Sequence, residues 1–415
     1  MRIERITIKN YRGIDNLTID FKSNFNVLFG FNGSGKSTII YAINDLLLLT
    51  RFFLEKKNPD VIVFSQYRIK DPGKDCLIII DFDNNGKILL EKKVNHTQIQ
   101  DENSLRLRDG SIAIFKNIDK EINFYSLIPG LANPMIQDIE TSSERIMVNL
   151  ENLPFFVKSR GIVNYRHIND EIIRLIHIEN RDRIQSLDNG EDKEKSRNKK
   201  LELIRKSLKM IFEDFEEITF TYDNLSNREF ISIKKSGQEF VLDEQLSSGE
   251  ACVVIIVCIL CINLYGKQNS KTDIVCIDEI DASLHPKWQI KICKILQEVF
   301  PETQFIITSH SPFIWFSTYK ENIYLMRNNH NTITCDTDIS TAKGEYIENL
   351  IAKYFDISEY DDGISQQVHE IENLFRKHDF AKAKESISSI RNEYGNIQVL
   401  DNLETEMEIL YHDHD

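Results

Sequence analysis

Eight consecutive residues constrain this chain more than any other stretch: Gly30-Phe31-Asn32-Gly33-Ser34-Gly35-Lys36-Ser37. The pattern is Gly, four residues, then Gly-Lys-Ser. It lies between a strand-like run, Phe25 to Phe29, and a segment from Lys36 to Leu49 that is apolar along its length and reads as a buried helix. Strand, glycine turn and helix together predict an α/β fold around a phosphate cradle. The glycines let the backbone curl until successive N–H groups point at phosphate oxygens, and the helix N-terminus adds its partial positive charge. Asn32, Gly33, Ser34, Gly35 and Thr38 would line that cradle, Lys36 would reach the β and γ phosphates of ATP, and the Ser37 hydroxyl would ligate Mg²⁺. A plain glycine turn capping a helix would not need the Lys-Ser pair.

Two further motifs belong to the same chemistry. Asp273-Ile-Val-Cys-Ile-Asp278-Glu279 is an apolar strand ending in two carboxylates. In phosphate-loop enzymes the first acid holds Mg²⁺ and the next can polarise the attacking water, so Asp278 is the expected metal residue and Glu279 the expected base. Leu246-Ser247-Ser248-Gly249-Glu250 precedes a second buried helix, Ala251 to Leu264. Its Ser and Gly N–H groups would form an anion site at a helix N-terminus, while Ser247 and Glu250 alone also fit a capping box.

Composition sets the outer bounds. The 415 residues, 41% of them hydrophobic, suffice for one large head with an inserted lobe or for two or three ordinary domains. Lys and Arg number 51 against 65 Asp and Glu, a formal charge of -14, so the surface as a whole repels a nucleic-acid backbone and any contact with one must be local. The basic run Lys193 to Lys209 offers such a patch, yet Glu191, Asp192, Glu194 and Glu202 interleave with it and favour a solvated face. The run Ala251 to Leu264 is too short for a bilayer span, and Met1 to Arg5 lead into alternating apolar positions without a secretion signal. Of the seven cysteines, Cys76, Cys252, Cys258, Cys261 and Cys276 sit in apolar runs where a thiol packs as a small hydrophobe. A cytoplasmic protein with reduced thiols is expected.

Along the chain, strands are predicted at Ile3 to Ile8, Leu17 to Phe21 and Phe25 to Phe29, and a hairpin at Cys76 to Phe82 and Lys87 to Leu90 around Asn84-Asn85-Gly86. Residues 137–215 read as mainly helical, with a polar loop over 188–200. Strands return at Glu217 to Tyr222 and Phe230 to Ile233, and the tail from Gly363 reads as two or three amphipathic helices. The expected division is an N-terminal ATPase lobe over 1–135, an inserted helical lobe over 136–215, a C-terminal ATPase lobe over 216–340 and a helical module over 341–415. In the tail, Leu400, Leu403, Met407 and Leu410 would either cover the preceding hairpin or form a docking stripe.

The segment around Ser248 resembles the signature motif of ABC-type ATPases, and further landmarks follow in that family's order. Asp281-Ala-Ser283-Leu-His285 takes the place of the D-loop, His310 after Phe305-Ile-Ile-Thr-Ser that of the switch histidine, and Asn10-Tyr11-Arg12 resembles the Asn-aromatic-Arg of RecF- and SMC-like heads, where the arginine lies near the nucleotide. Gln66 is the candidate Q-loop glutamine, a metal-side residue. With about two hundred residues between phosphate loop and signature and no sustained heptad, a long coiled coil is excluded. Asp278-Glu-Ile-Asp-Ala-Ser-Leu-His-Pro-Lys-Trp-Gln289, with Phe300-Pro301 and Thr308-Ser-His-Ser-Pro312, resembles the OLD-like AAA-family group that includes the Septu and retron-associated antiphage ATPases. The resemblance implies a head completed in trans, in which Ser247, Ser248, Gly249 and Glu250 of one copy meet the γ-phosphate held by another. It further implies a homo-oligomer and a separate HNH-type nuclease as partner, since the chain shows no HNH-like cluster of its own. A RecF-like repair ATPase acting directly on DNA is the alternative.

Overall fold

The computed structural model describes residues 2–54, 69–94, 104–106, 112–118, 123–127, 156–158, 161–163, 165–188, 198–225, 227–242, 245–264, 273–282, 284–329, 332–337, 362–377, 379–395, 400–401 and 403–404. The chain divides into two compact units, Met1–Lys343 and Gly344–Asp415. The borders expected at 135/136 and 215/216 fall inside the first.

The first unit is α/β. Strands β1 (Ile3–Tyr11), β2 (Ile14–Asp20), β4 (Cys76–Phe82), β5 (Lys87–Lys92), β6 (Ser104–Arg106) and β7 (Ile112–Lys116) form an antiparallel sheet in the order β2-β1-β4-β5-β7-β6. Burial alternates strictly along β4, as a sheet with one covered face requires. The cover is α1 (Lys36–Leu54). Ile39, Ile43, Leu46 and Leu47 join Ile6, Ile8, Ile78 and Ile80 on one side and Ile274 and Ile306 on the other in a single core. A helix packed between two sheets has no polar face to show, which is why Lys36 to Leu49 lacks an amphipathic period.

The second sheet has the order β10-β9-β8-β14-β15-β3-β16-β17. It contains β3 (Phe25–Phe29), β8 (Asn123–Leu127), β9 (Phe156–Lys158), β10 (Gly161–Val163), β14 (Asp273–Ile277), β15 (Gln304–Ser309), β16 (Ile323–Asn329) and β17 (Thr332–Asp336). The run from β8 to β16 is parallel, and β3 and β15 are buried at every position, the near-continuous apolar pattern of a doubly covered sheet. Buried Gln304 joins the two sheets, accepting from the Ile3 N–H and donating to the Ile3 carbonyl, both at 2.8 Å.

Between 137 and 215 the described residues hold α2 (Tyr165–Asp188) and α3 (Lys199–Ile211), together with β9 and β10. Most of the polar 188–200 stretch lies outside the described residues. At its end Asn198 caps α3 by accepting from the Lys200 and Leu201 N–H groups. A small antiparallel sheet, β11 (Phe215–Asp223), β12 (Arg228–Lys235) and β13 (Gln238–Val241), leads to α4 (Ser248–Leu264). Helices α5 (Pro286–Val299) and α6 (Pro312–Ser317) follow β14 and β15. Among the described residues no helix is long and apolar enough to cross a membrane. The second unit contains α7 (Asp362–Arg376) and α8 (Phe380–Tyr394) around its own core.

Candidate active site

Three neighbouring parallel strands, β14, β15 and β3, bring their C-terminal ends to one edge of the sheet, the place where open α/β sheets hold ligands. The phosphate loop follows β3, the Asp278-Glu279 pair follows β14, and His310 follows β15. Sheet order, not sequence proximity, assembles the site.

The loop needs its glycines for stated reasons. At Gly30 (φ 149°) a Cβ would stand 2.3 Å from the Met326 carbonyl oxygen of β16, and at Gly35 (φ 91°) it would stand 2.8 Å from Ile333 Cδ1. Asn328 Nδ2 braces the far side of the curl by donating to the Gly33 carbonyl at 3.2 Å. Lys36 is buried and its Nζ donates to the Gly30 and Phe31 carbonyls at 2.7 and 2.8 Å. Burial pushes the ammonium below the ordinary lysine range against the pull of Asp278, Asp281 and Glu279. The Ser34 hydroxyl is buried in the same loop without a hydrogen-bond partner.

Around the strand tips a chain of hydrogen bonds runs through one carboxylate. Ser37 Oγ donates to Asp278 Oδ1 at 3.0 Å, Thr308 Oγ1 donates to the same oxygen at 2.6 Å, and the Glu279 N–H donates to Thr308 Oγ1 at 2.7 Å. Burial drives the Asp278 carboxyl upward, and the two hydroxyl bonds and the Lys36 charge only partly offset it. Ser37 and Asp278 offer a hydroxyl and a carboxylate side by side, hard oxygen donors in the small number that Mg²⁺ takes from a protein when phosphates and water complete its shell. The residues fit the ion, which when bound neutralises charge on phosphate oxygens.

Glu279 is exposed and sits at φ 54°, the left-handed region rare for a side-chain-bearing residue. Its backbone is pinned at both ends, by the N–H bond to Thr308 and by its carbonyl accepting from the Ala282 N–H at 2.9 Å. Holding such a conformation costs about 1–3 kcal/mol. The result is a carboxylate standing free beside the phosphate loop. His310 Nδ1 lies 3.3 Å from Oδ2 of buried Asp281, with its ring half exposed.

Arg12 is near this edge, its guanidinium 4.3 Å from the ring centroid of Tyr41, one turn beyond Ser37 on α1. Asn10 is buried and clamps the 71–74 turn, accepting from the Asp71 N–H and donating to the Asp71 and Lys74 carbonyls. The residues Ser247 to Glu250 form the start of α4 in a network of their own. Ser247 Oγ donates to Glu250 Oε2 at 2.9 Å, the Glu250 N–H returns to Ser247 Oγ at 3.4 Å, and Lys235 Nζ of β12 donates to Glu250 Oε1. The capping box is therefore formed. Gly249 is buried, and Ser248 opens the helix. Asn32 and Gly33 stand in the loop and Thr38 in the first turn of α1. Gln66 lies outside the described residues.

A family model described as an AAA ATPase domain matches residues 1–315. The chain belongs to this ATPase family. Among curated relatives, a probable ATPase of retron Ec83 from Escherichia coli is 26% identical over 394 residues, covering 79% of this chain and 72% of its own length. The Septu protein PtuA of Bacillus mycoides (strain KBAB4) is 24% identical over 367 residues, covering 85% of this chain and 44% of its own length, so the chain spans less than half of that relative. The ATPase resembles both. Among solved structures, the SMC head domain from Thermotoga maritima matches with 15% identity and a TM-score of 0.40, over 81% of this chain and 98% of that one.

Sequence reasoning missed two residues of the arrangement. Thr308 stood in plain view before Ser309-His310, but only its place on β15, beside β14, reveals that it bonds both Asp278 and Glu279. Lys235 gave no signal at all, since its meeting with Glu250 depends on where β12 packs.

Proposed function

We propose that this ATPase binds ATP with Mg²⁺ and hydrolyses it slowly at a site completed by a second copy. Through that closure it scaffolds and regulates a separate HNH-type effector nuclease in bacterial antiphage defence. In this reading Lys36 holds the β and γ phosphates, Ser37 and Asp278 hold the metal, Glu279 polarises water, and His310 meets the γ-phosphate. Ser247, Ser248 and Gly249 contact the phosphate bound by the partner copy, and Arg12 lies along the nucleotide. The observation that carries it is the hydrogen-bonded chain Ser37–Asp278–Thr308–Glu279, which fixes a metal-binding pair and frees a carboxylate next to it.

The defence assignment draws on the resemblance to the retron Ec83 and PtuA proteins. A direct DNA-repair role is less well supported. The formal charge is -14, and Arg205 of the basic run is engaged by Glu179 and Glu217. Lobes over 1–135, 136–215 and 216–340, a tail module over 341–415 and a cytoplasmic location complete the proposal.

The test is complementation between two inactive chains. Lys36→Ala removes the charge facing the phosphates and should lose ATP binding, whereas Ser248→Arg should keep binding but block pairing. Mixing them should restore turnover at one composite site per dimer. A mixture as inactive as either parent, beside an active wild type, overturns the sandwich; ATP affinity equal to wild type in Lys36→Ala overturns the phosphate-loop assignment.

A further inference from the structure

The turn after Glu279 and the loop carrying His310 are joined by a buried amide that has no part in the site described above. Gln289, in the first turns of α5, is buried. Its Nε2 donates to the Leu284 carbonyl at 2.7 Å and to the Asp281 carbonyl at 3.3 Å. On its other side Oε1 accepts from the Ser311 hydroxyl. The amide orientation is fixed by chemistry, because two carbonyls can only accept and so require the NH₂ group. Ser311 in turn caps α6, its hydroxyl accepting from the Phe313 N–H at 3.2 Å. One side chain thus spans from the 281–284 turn to the residue following His310.

A second strut runs beside it, His310 Nδ1 to Asp281 Oδ2 at 3.3 Å. The other Asp281 carboxylate oxygen is buried without a hydrogen-bond partner among the described residues; the turn is tied to β15 by the Ile280 N–H, which donates to the Thr308 carbonyl at 3.1 Å, and to α5 through its own backbone carbonyls. Those carbonyls are what Gln289 grips. A shift of the turn by a fraction of an ångström breaks a 2.7 Å bond or drags Ser311 and the adjacent His310 with it, since hydrogen bonds weaken steeply off geometry.

We propose that Gln289 is a positioning residue, which locks the 281–284 turn to the His310–Ser311 loop so that His310 is placed for catalysis only when the turn is seated. The inference rests on the reading of this edge as an ATPase site. Because the hydrogen bonds of Gln289 among the described residues go to Asp281, Leu284 and Ser311 and not to the phosphate loop or the Ser37–Asp278 pair, its loss should separate binding from turnover.

In the full-length chain, Gln289→Met keeps length and removes all three bonds. Its expected signature is a KM for ATP within about twofold of wild type and a kcat lower by roughly tenfold, measured well below the melting temperature. Ser311→Ala should reproduce part of that loss, and Ser311→Thr, which retains the hydroxyl, should recover at least half of it. The double variant Gln289→Met/Ser311→Ala should be no slower than Gln289→Met alone, since both cut the same link. If Gln289→Met does not fold, the Ser311 pair carries the test. A kcat equal to wild type in Gln289→Met, or additive losses in the double variant, overturns the inference while leaving the ATPase reading intact. A wild type that hydrolyses ATP no faster than Lys36→Ala overturns both.

Discussion

Asp278 shows how the site's chemistry is set against the stability of the fold. Its carboxylate is buried, two hydroxyls share one of its oxygens, and its pKa is nevertheless raised because burial outweighs them. A carboxyl whose folded pKa exceeds its unfolded one contributes stability that is full when it is protonated and is lost as pH rises through the folded value. Wherever the group is ionised it is therefore a burden on the fold. Asp278→Asn keeps an oxygen that accepts from Ser37 and Thr308 and removes the charge. It should melt a few degrees higher than wild type at pH 7, with the gap closing on acidification through the carboxylate range, while ATP turnover is lost. A variant that melts lower at pH 7 with its gap unchanged at acid pH would show that the charge is stabilised in place. Lys36, Ser37 and Asp278 could be singled out in the sequence because a fixed spacing and an adjacent strand mark them, and the fold brings Ser37 Oγ and Asp278 Oδ1 to 3.0 Å. The part of Thr308 and the proposed part of Gln289 were not, since each works through a partner that the sheet order brings from elsewhere: Asp278 to Thr308, Ser311 to Gln289.

At the scale of elements, Cys76 to Phe82 was legible as a strand because it is a short apolar run rich in isoleucine, and the Asn84-Asn85-Gly86 turn placed its hairpin; which of its residues face the core shows only in the alternating burial of the fold. Asn85 takes the left-handed conformation there, φ 59°. The three-residue strands β9 and β10 and the half-exposed β13 carry too few positions for any period to register. The start of α4 was read as either a signature or a capping box, and the capping box exists. It is stabilised from outside the helix by Lys235, whose ammonium also lies 5.3 Å from the Phe212 ring centroid and 5.2 Å from that of Phe240. Burial pushes the Glu250 carboxyl upward, but the bonds from Lys235 and Ser247 outweigh it and the net direction is down. That sign means a contribution to stability present above the unfolded carboxylate pKa and lost as pH falls through the lower folded value. Lys235→Met should accordingly destabilise the protein by about 2 kcal/mol at pH 7, the cost of leaving a largely buried carboxylate without its cation. In urea titrations that penalty should shrink from pH 7 to a pH below the ordinary carboxylate range, where Glu250 takes up a proton. An equal penalty at both pH values would assign the effect to lost packing against Phe212 and Phe240.

Among the described residues each of the two units holds a hydrophobic core of its own, and that of the second bears on the proposed partner. In Gly344–Asp415 the apolar faces of α7 and α8 meet through Val368, Ile371, Phe375, Ala383, Ile387 and Ile390, and Leu400 and Leu403 close over them. Arg391 holds that third segment by pairing with Asp401 and Glu404. Leu400 and Leu403, half of the candidate docking stripe, are thus consumed by the unit's own core; Met407 and Leu410 lie outside the described residues. Among the described side chains of α7 and α8 the exposed positions are polar or charged apart from Ala381: Gln366, His369 and Glu370 on one helix, Lys382, Lys384, Glu385, Ser388, Ser389, Asn392 and Glu393 on the other. A partner docked on those helices would be bound through charge and hydrogen bonds, which salt screens. A chain ending at Lys343 keeps the phosphate loop, Asp278, Glu279, His310 and the signature together in the first unit, and should bind ATP as the full chain does. It should fail to co-purify with the HNH-type nuclease proposed above as the partner, and the pair formed by the 415-residue chain should weaken between low and high salt in a pull-down. Retention of the nuclease by the truncated chain would move the docking surface to the head, and a pair indifferent to salt would point to an apolar contact in its place.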